Sequence, residues 1–152
     1  MNRAAAPEPD SEPARFVDGY LGYLLGHANH ALFKDFDAQG RAAGLRSVEW
    51  RVLATLHDGP ALTVSQLAHE VLSKQPTVTK LVQRMAEQGW VTLRADAADH
   101  RRTLVAASAA GRRKVAPLVR AAHAHEQQLL ATLGRAERAA LRKLLERLAQ
   151  SG

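Results

Sequence analysis

With 152 residues, a net charge of +6 and no cysteine, the chain has the length of one globular domain, with or without a dimerisation extension. The lack of cysteine excludes disulfides, thiol redox sensing and thiolate metal sites. No apolar run approaches the roughly 18 residues of a membrane span. Residues 1–13 lack the apolar core of a signal peptide, so we expect a cytoplasmic protein. The charge favours a polyanionic partner, although a solvated basic surface accounts for it about as well.

The N-terminal third predicts a disordered tail and two helices. Residues 1–13 are rich in Ala, Pro and acids, a composition typical of disorder. A helix is predicted over about residues 13–38, because apolar side chains recur there at near-helical spacing, and Gly40 and Gly44 should end it. Ser47 should cap a second helix, whose apolar face is Val48, Val52, Leu53 and Leu56.

A pair of shorter helices follows. Thr63 and Gln66 have the spacing of a capping box, which predicts a helix that starts there and stops near Val71. A second helix is predicted over residues 74–88, with Pro76 in its first turn and Gly89 as a left-handed end. Its buried stripe should be Val78, Leu81, Val82 and Met85. The remaining face is polar and cationic.

The rest of the chain predicts a hairpin and two long helices. Strand-like segments at 91–94 and 103–106 flank a polar tip at 95–102, which indicates a two-stranded hairpin. One helix is predicted over 109–133, with Pro117 as a site of bending, and Gly134 should break it. A last helix is predicted over 136–149, with one leucine-rich face.

This order of elements is typical of a winged helix-turn-helix fold, mainly α with a small β-hairpin wing. An α-helix fits the major groove of DNA, where its exposed side chains can reach base edges. Amides suit adenine, cations suit guanine or phosphate, and hydroxyls at a helix start suit phosphate. Arginines on the hairpin can enter the minor groove. The candidate DNA-binding residues are therefore Thr63, Ser65, Gln75, Thr77, Thr79, Lys80, Gln83, Arg84, Arg94, Arg101 and Arg102.

Six segments within residues 45–111 carry a family resemblance in their order and spacing. They are LRSVEWRVL at 45–53, LTVSQLA at 62–68, PTVTKLVQRM at 76–85, GWV at 89–91, RADAADHRR at 94–102 and SAAG at 108–111. Together they resemble the MarR family of bacterial transcriptional regulators. The wing segment is the most diagnostic. His100 departs from the arginine of many members, and Ala107-Ser108 departs from the usual Leu-Thr.

The resemblance implies an organisation and a partner. It implies a DNA-binding domain at 45–107 and a helical dimerisation region at 14–40 and 108–152. The expected assembly is a homodimer on palindromic double-stranded DNA. An intramolecular helical core explains the leucine face of the last helix as well, and the residues alone do not separate the two. The resemblance also adds Asp99 to the DNA-binding set, as the residue that orients Arg101 through a charge-assisted pair.

The resemblance further implies a small aromatic or phenolic acid as effector. Aromatic rings supply stacking surface, while Arg and His can pair a carboxylate. The candidate ligand-binding residues are Tyr20, Tyr23, His27, His30, Arg46, Trp50 and Arg51. For each aromatic residue, an ordinary core position is an equally good interpretation.

The resulting hypothesis is a repressor that such an acid releases from its operator. The alternatives are a helical protein-interaction module with a basic face and a DNA-binding regulator that needs no ligand. Enzymatic chemistry is not expected, because Asp96 and Asp99 have no base or nucleophile pattern near them. No cofactor or metal is expected either, since His27 and His30 lack further convergent ligands.

Overall fold

The computed structural model describes residues 15–151. Its helices and strands are, in chain order, α1 Phe16–Gly19, α2 Leu21–Ala42, α3 Ser47–Leu56, β1 Leu62–Thr63, α4 Val64–Glu70, α5 Gln75–Glu87, β2 Val91–Ala95, β3 Thr103–Ala107, α6 Ala109–Leu129 and α7 Arg135–Ala149. A short 3-10 turn, Leu130–Thr132, joins α6 to α7. The chain divides into two compact units, one ending at Lys34 and the other starting at Asp35. The predicted tail at 1–13 lies outside the described residues.

The first predicted helix differs from the observed one at both ends. Tyr20 has extended backbone angles and separates α1 from α2. Gly40 was expected to end the helix but lies inside α2, where it is buried. The chain turns only at Gly44, whose φ of +75° is readily adopted by glycine. A Cβ on Gly40 would lie 3.5 Å from the Leu45 carbonyl oxygen and 3.7 Å from the Trp50 ring, which are ordinary van der Waals contacts.

In the first unit, the described side chains leave most of their apolar surface in solvent. Every residue from Leu21 to His30 is exposed. Phe16 and Tyr20 stack on each other, with ring centroids 5.0 Å apart, yet both remain more than half exposed. Residues 15–34 therefore contribute no buried side chain.

In the second unit, a single apolar core joins the helices to the sheet. It is built around leucines and valines of α3, α4 and α5, with Val105 from the sheet and Val115 from α6. The largest fully buried side chains include Leu45, Leu53, Leu56, Leu67 and Met85. The stripe predicted on α5 is confirmed, since Val78, Leu81, Val82 and Met85 are all buried. The second unit therefore has a self-contained core.

The start of α3 differs from the prediction. Ser47 is the first helical residue rather than the cap, and Arg46 precedes the helix with extended angles. Glu49 does the capping, because its Oε2 accepts a hydrogen bond from the backbone N of Arg46 at 2.8 Å. A carboxylate in the first turn also suits the positive end of the helix dipole.

The capping box at the start of α4 is confirmed. Thr63 Oγ1 accepts from the backbone N of Gln66 at 3.2 Å, and Gln66 Oε1 accepts from the backbone N of Thr63 at 2.9 Å. The next helix, α5, has Pro76 in its first turn and ends before Gly89, whose φ is +76°. Both ends of the predicted 74–88 segment are therefore confirmed.

The sheet has three strands rather than the two that were predicted, in the order β1-β3-β2. The hairpin of β2 and β3 is confirmed, with Val91 opposite Ala107 and Ala95 opposite Thr103. The added strand, β1, pairs antiparallel with β3. It has only two residues, which is too short for an alternating pattern to reveal it. Its pairing ties the start of α4 to the hairpin.

Helix α6 starts in close contact with the end of α5. Ser108 Oγ accepts from the backbone N of Gly111 and donates to the carbonyl of Gly89. A Cβ on Gly111 would overlap the carbonyl oxygen of Trp90, so only glycine fits there. The helix ends at Leu129, earlier than the predicted 133.

Helix α7 contains no buried residue, and its leucines are exposed. None of the helices within residues 15–151 combines the length and the apolar character that a membrane-spanning helix needs.

Candidate nucleic-acid interface

A groove of about 590 Å³ lies where three elements of the second unit meet. These are the start of α4, the start of α5 and the wing, which we define as β2, β3 and their connection at 96–102. The groove is lined by Thr63, Val64, Ser65, Gln66, Gln75, Thr79, Arg101, Arg102 and Thr103. Six of the predicted DNA-binding residues are in this set. The fold therefore brings together candidates that are separated by up to 39 positions in the sequence.

The start of α4 presents polar groups at one side of the groove. Ser65 is exposed, and the N-terminal N–H groups of the helix lie beside it. Thr63 and Gln66 are occupied in the capping box, so the turn has a defined geometry before anything binds. A helix start of this kind suits a phosphate.

Helix α5 supplies an exposed polar face. Thr77, Lys80 and Gln83 are exposed and point away from its buried stripe. Thr79 is half-buried, and its hydroxyl donates to the carbonyl of Gln75 at 3.0 Å. That hydroxyl can still accept a further hydrogen bond.

Arg84 lies on a different side of α5 from the residues that line the groove. Its Nη2 is 3.0 Å from Glu49 Oε1, and the Glu49 side chain is only 4% exposed. A buried carboxylate needs such a partner, so this pair also joins α5 to α3. Glu49 was not among the predicted functional residues. The two residues are 35 positions apart, and no local pattern indicates the pair.

In the wing, Asp99 holds a turn instead of pairing with the Arg101 side chain. Its Oδ1 accepts from the backbone N of Arg101 at 3.0 Å. Its Oδ2 lies 3.4 Å from Nε of Arg102. The expected side-chain pair between Asp99 and Arg101 is therefore corrected: Asp99 orients Arg101 through the backbone. The Arg101 guanidinium forms no ion pair within residues 15–151.

Arg94, on β2, is exposed and opposite Leu104 in the sheet. It does not line the groove, and neither do Thr77, Lys80, Gln83 and Arg84. Three lining residues, Val64, Gln66 and Thr103, were not predicted as DNA-binding. Thr103 directly follows the two wing arginines, so the pairing of β2 with β3 places it there. Gln66 was recognised only as a cap partner.

The residues predicted to bind an effector divide between the two units. In the first unit, Tyr20, Tyr23, His27 and His30 are exposed, and the Tyr23 and His27 rings are 4.3 Å apart. In the second unit, Trp50 is buried and stacks on Phe36 with centroids 5.9 Å apart. Arg51 donates to the carbonyl of Val71 at 2.9 Å and joins α3 to the end of α4. Arg46 is exposed.

Two short helices joined by a turn, with a β-hairpin after the second, define a winged helix-turn-helix protein. A sequence model of a protein family, described as the MarR family, matches residues 43–102. A solved structure of a MarR family transcriptional regulator from Silicibacter pomeroyi DSS-3 is 40% identical, with a TM-score of 0.76. The match covers 88% of this chain and 98% of that chain. The chain belongs to the MarR family of transcriptional regulators.

Two further solved structures are similar to the chain. A probable transcriptional regulator from Pseudomonas aeruginosa is 32% identical, with a TM-score of 0.68 over 87% of this chain and 98% of that chain. BpsR from Bordetella bronchiseptica is 26% identical, with a TM-score of 0.73 over 91% and 98%. The BpsR structure addresses the regulation of its DNA binding by 6-hydroxynicotinic acid. No curated protein sequence matches the chain.

Proposed function

We propose that the protein is a sequence-specific regulator that binds double-stranded DNA through α5 and the wing. One observation carries the proposal: the groove of about 590 Å³ that gathers Gln75, Thr79, Arg101 and Arg102 beside the start of α4. Hydroxyls, amides and guanidiniums are the groups that contact phosphates and base edges.

The exposed polar face of α5 suits the major groove. Its exposed side chains Thr77, Lys80 and Gln83 leave no bulky apolar group to obstruct a base edge. An α-helix fits the width of that groove, and Gln can form a bidentate pair with adenine. In this proposal Gln83 and Lys80 contact base edges in the major groove, while Thr63 and Ser65 bind phosphate.

The wing suits the neighbouring minor groove. Asp99 fixes the turn before Arg101 through a backbone hydrogen bond, and the Arg101 guanidinium is exposed. A turn whose backbone is already fixed loses less conformational entropy when the arginine that it carries enters a narrow minor groove. Arg102 is paired with Asp99 and would position the turn from its other side. We assign 45–107 as the DNA-binding domain.

A homodimer is part of the proposal. Leu141, Leu144, Leu145 and Leu148 on α7 are 40–52% exposed. A second copy of the chain would cover these side chains and remove their apolar surface from water. A twofold dimer would also present two α5 helices to the two halves of a palindromic operator. Residues 14–40 and 108–152 are the proposed dimerisation region.

The proposed mode of regulation is release from the operator by a small aromatic acid. BpsR, 26% identical to this chain, is regulated in its DNA binding by 6-hydroxynicotinic acid, which is such an acid. A ligand shifts binding only if it prefers one arrangement of the protein over another. In this proposal it favours a dimer whose two α5 helices are wrongly spaced for successive major grooves.

Selection of bound genomic fragments, followed by footprinting, tests the DNA-binding proposal. We expect a palindromic footprint and an affinity that falls steeply with salt. Arg101→Ala should weaken operator binding by about tenfold, whereas the control Arg113→Ala, exposed on α6 and outside the groove, should not. Gln83→Ala should change the preferred sequence as well as the affinity. Binding without sequence preference would favour a protein-interaction module with a basic face.

The regulatory part needs its own test. Operator affinity is measured with and without 6-hydroxynicotinic acid or benzoate, at constant ionic strength. We expect a lower affinity and a raised melting temperature of the protein, because a ligand that binds the folded state stabilises it. If neither quantity changes with these acids, the protein is a regulator that does not respond to them.

A further inference from the structure

A second cavity, of about 320 Å³, lies at the opposite end of α5 from the groove. It is lined by Arg41, Gly44, Leu45, Arg46, Glu49, Arg84 and Gln88, all in the second unit. Three guanidiniums and one carboxylate face this space. They come from the end of α2, the loop before α3, the first turn of α3 and the last turns of α5.

Both oxygens of the single carboxylate already have partners within the protein. Glu49 Oε1 is 3.0 Å from Nη2 of Arg84, and its Oε2 accepts from the backbone N of Arg46 at 2.8 Å. The side chain is 4% exposed, so its charge is compensated within the wall of the cavity. It has little capacity left for the other two arginines.

The other two arginines leave an excess of positive charge. Arg41 and Arg46 are exposed, and neither forms an ion pair within residues 15–151. The lining therefore has a formal charge of about +2, which a bound anion would balance.

We propose that this cavity binds a small oxyanion, either a carboxylate or a phosphate, between Arg41, Arg46 and Arg84. Guanidinium groups match the two oxygens of such anions in a bidentate geometry. A volume of about 320 Å³ admits a molecule from the size of phosphate to that of a small aromatic acid. For a carboxylate the proposal rests on the proposed response to an aromatic acid, since Arg46 is also a predicted effector-binding residue, whereas phosphate binding is independent of it.

Glu49 sets the strength of this site. It competes with the bound anion for Arg84, because both are negative partners of the same guanidinium. Glu49→Gln removes that competing charge, while the amide oxygen still accepts from the backbone N of Arg46. We therefore expect Glu49→Gln to bind the anion several-fold more tightly. A purely structural role for Glu49 predicts no such gain.

The test is a calorimetric titration of the full chain, without DNA, using inorganic phosphate and benzoate as separate probes at matched ionic strength. We expect at least one probe to bind with a dissociation constant in the millimolar range or below. Arg41→Gln and Arg46→Gln should each raise that constant by about tenfold, as expected for loss of a charge-assisted bond. Arg113→Gln, an exposed arginine outside the lining, is the control and should bind as the parent does. Thermal melting of each variant confirms folding.

The affinity of the same variants for duplex DNA shows whether the arginines bind a free anion or the phosphates of the DNA backbone. If the oxyanion is a free ligand, Arg41→Gln and Arg46→Gln lose anion binding but keep the parent affinity for duplex DNA at matched salt. The proposal is overturned if neither probe binds, or if Arg113→Gln weakens binding equally. It is also overturned if the two variants lose only duplex affinity, since the arginines would then contact the DNA backbone.

Discussion

Helices α5 and α7 have similar sequence patterns but different environments. Both carry apolar residues three and four positions apart. On α5 the stripe of Val78, Leu81, Val82 and Met85 is 0–7% exposed. On α7 the stripe of Leu141, Leu144, Leu145 and Leu148 is 40–52% exposed. Periodicity alone therefore indicates an apolar face without showing what covers it.

This difference distinguishes a region whose apolar side chains are buried within one chain from a region whose apolar side chains are not. The winged lobe, residues 45–107, buries its stripes within one chain, against its own helices and sheet and against Phe36 of α2 and Val115 and Leu118 of α6. Helix α7 has no buried residue. Leucines exposed together on one helix face are typical of an interaction site, and a second copy of the chain is the partner that we propose.

The largest expected effect comes from a matched pair of leucines. Leu56 is 0% exposed in the lobe, and Leu144 is 52% exposed on α7. Leu56→Ala should lower the free energy of unfolding by about 2–5 kcal/mol, because it removes contacts and leaves a cavity. Leu144→Ala should instead raise the dissociation constant of the dimer. Denaturant unfolding and sedimentation, each over a range of protein concentrations, measure the two quantities.

The contrast fails if the two leucines behave alike. A large loss of stability in Leu144→Ala that does not depend on protein concentration would mean that α7 is covered within one chain. A larger dissociation constant in Leu56→Ala, at unchanged stability, would mean that the lobe itself forms the dimer contact.

The second prediction compares two helical glycines. A Cβ on Gly111 would overlap the Trp90 carbonyl oxygen and lie 3.1 Å from Leu53 Cδ2, whereas a Cβ on Gly26 would meet nothing within 4 Å. Gly111→Ala should destabilise the lobe by about 1–3 kcal/mol through overpacking. Gly26→Ala should stabilise the chain by about 0.5–1 kcal/mol, because alanine favours a helix. Thermal melting measures both.

The two glycines also test where a partner could sit. If Gly26→Ala destabilises the protein at high concentration only, then a second copy packs closely on α2. If Gly111→Ala is tolerated, the close approach of α6 to Trp90 is not required for the fold.

Local chemistry was predictable from the sequence, and long-range pairing was not. The capping box of Thr63 and Gln66 lies within four residues and was predicted correctly, as were Pro76 and Gly89 at the ends of α5. Ser47 looked like a cap by residue type, yet Glu49 caps α3, because its carboxylate reaches the N–H of Arg46.

Most of the groove was predicted, because its residues fall on elements that were themselves predicted. The pair of Glu49 with Arg84 was not, since 35 positions separate the two residues and only the packing of α5 on α3 joins them. The side-chain pair of Asp99 was predicted with Arg101 but is formed with Arg102, while Arg101 is bound only through its backbone N. Whether Asp99 meets Arg101 or Arg102 depends on the turn geometry of the wing, which residue type does not determine.

The smallest expected effect concerns the exception within the lobe, Leu72. It lies between α4 and α5, is 85% exposed and has a φ of 53°, a left-handed conformation that glycine adopts with less strain. Leu72→Gly should relieve about 1–2 kcal/mol of backbone strain. Glycine also loses more conformational entropy on folding, so the net stabilisation should be about 0.5 kcal/mol. Leu72→Ala keeps the Cβ, so it should show no gain. Denaturant midpoints for both variants measure the difference. If Leu72→Ala raises the dimer dissociation constant as Leu144→Ala does, then Leu72 is exposed for the same reason as the α7 leucines, and the lobe is not complete in one chain.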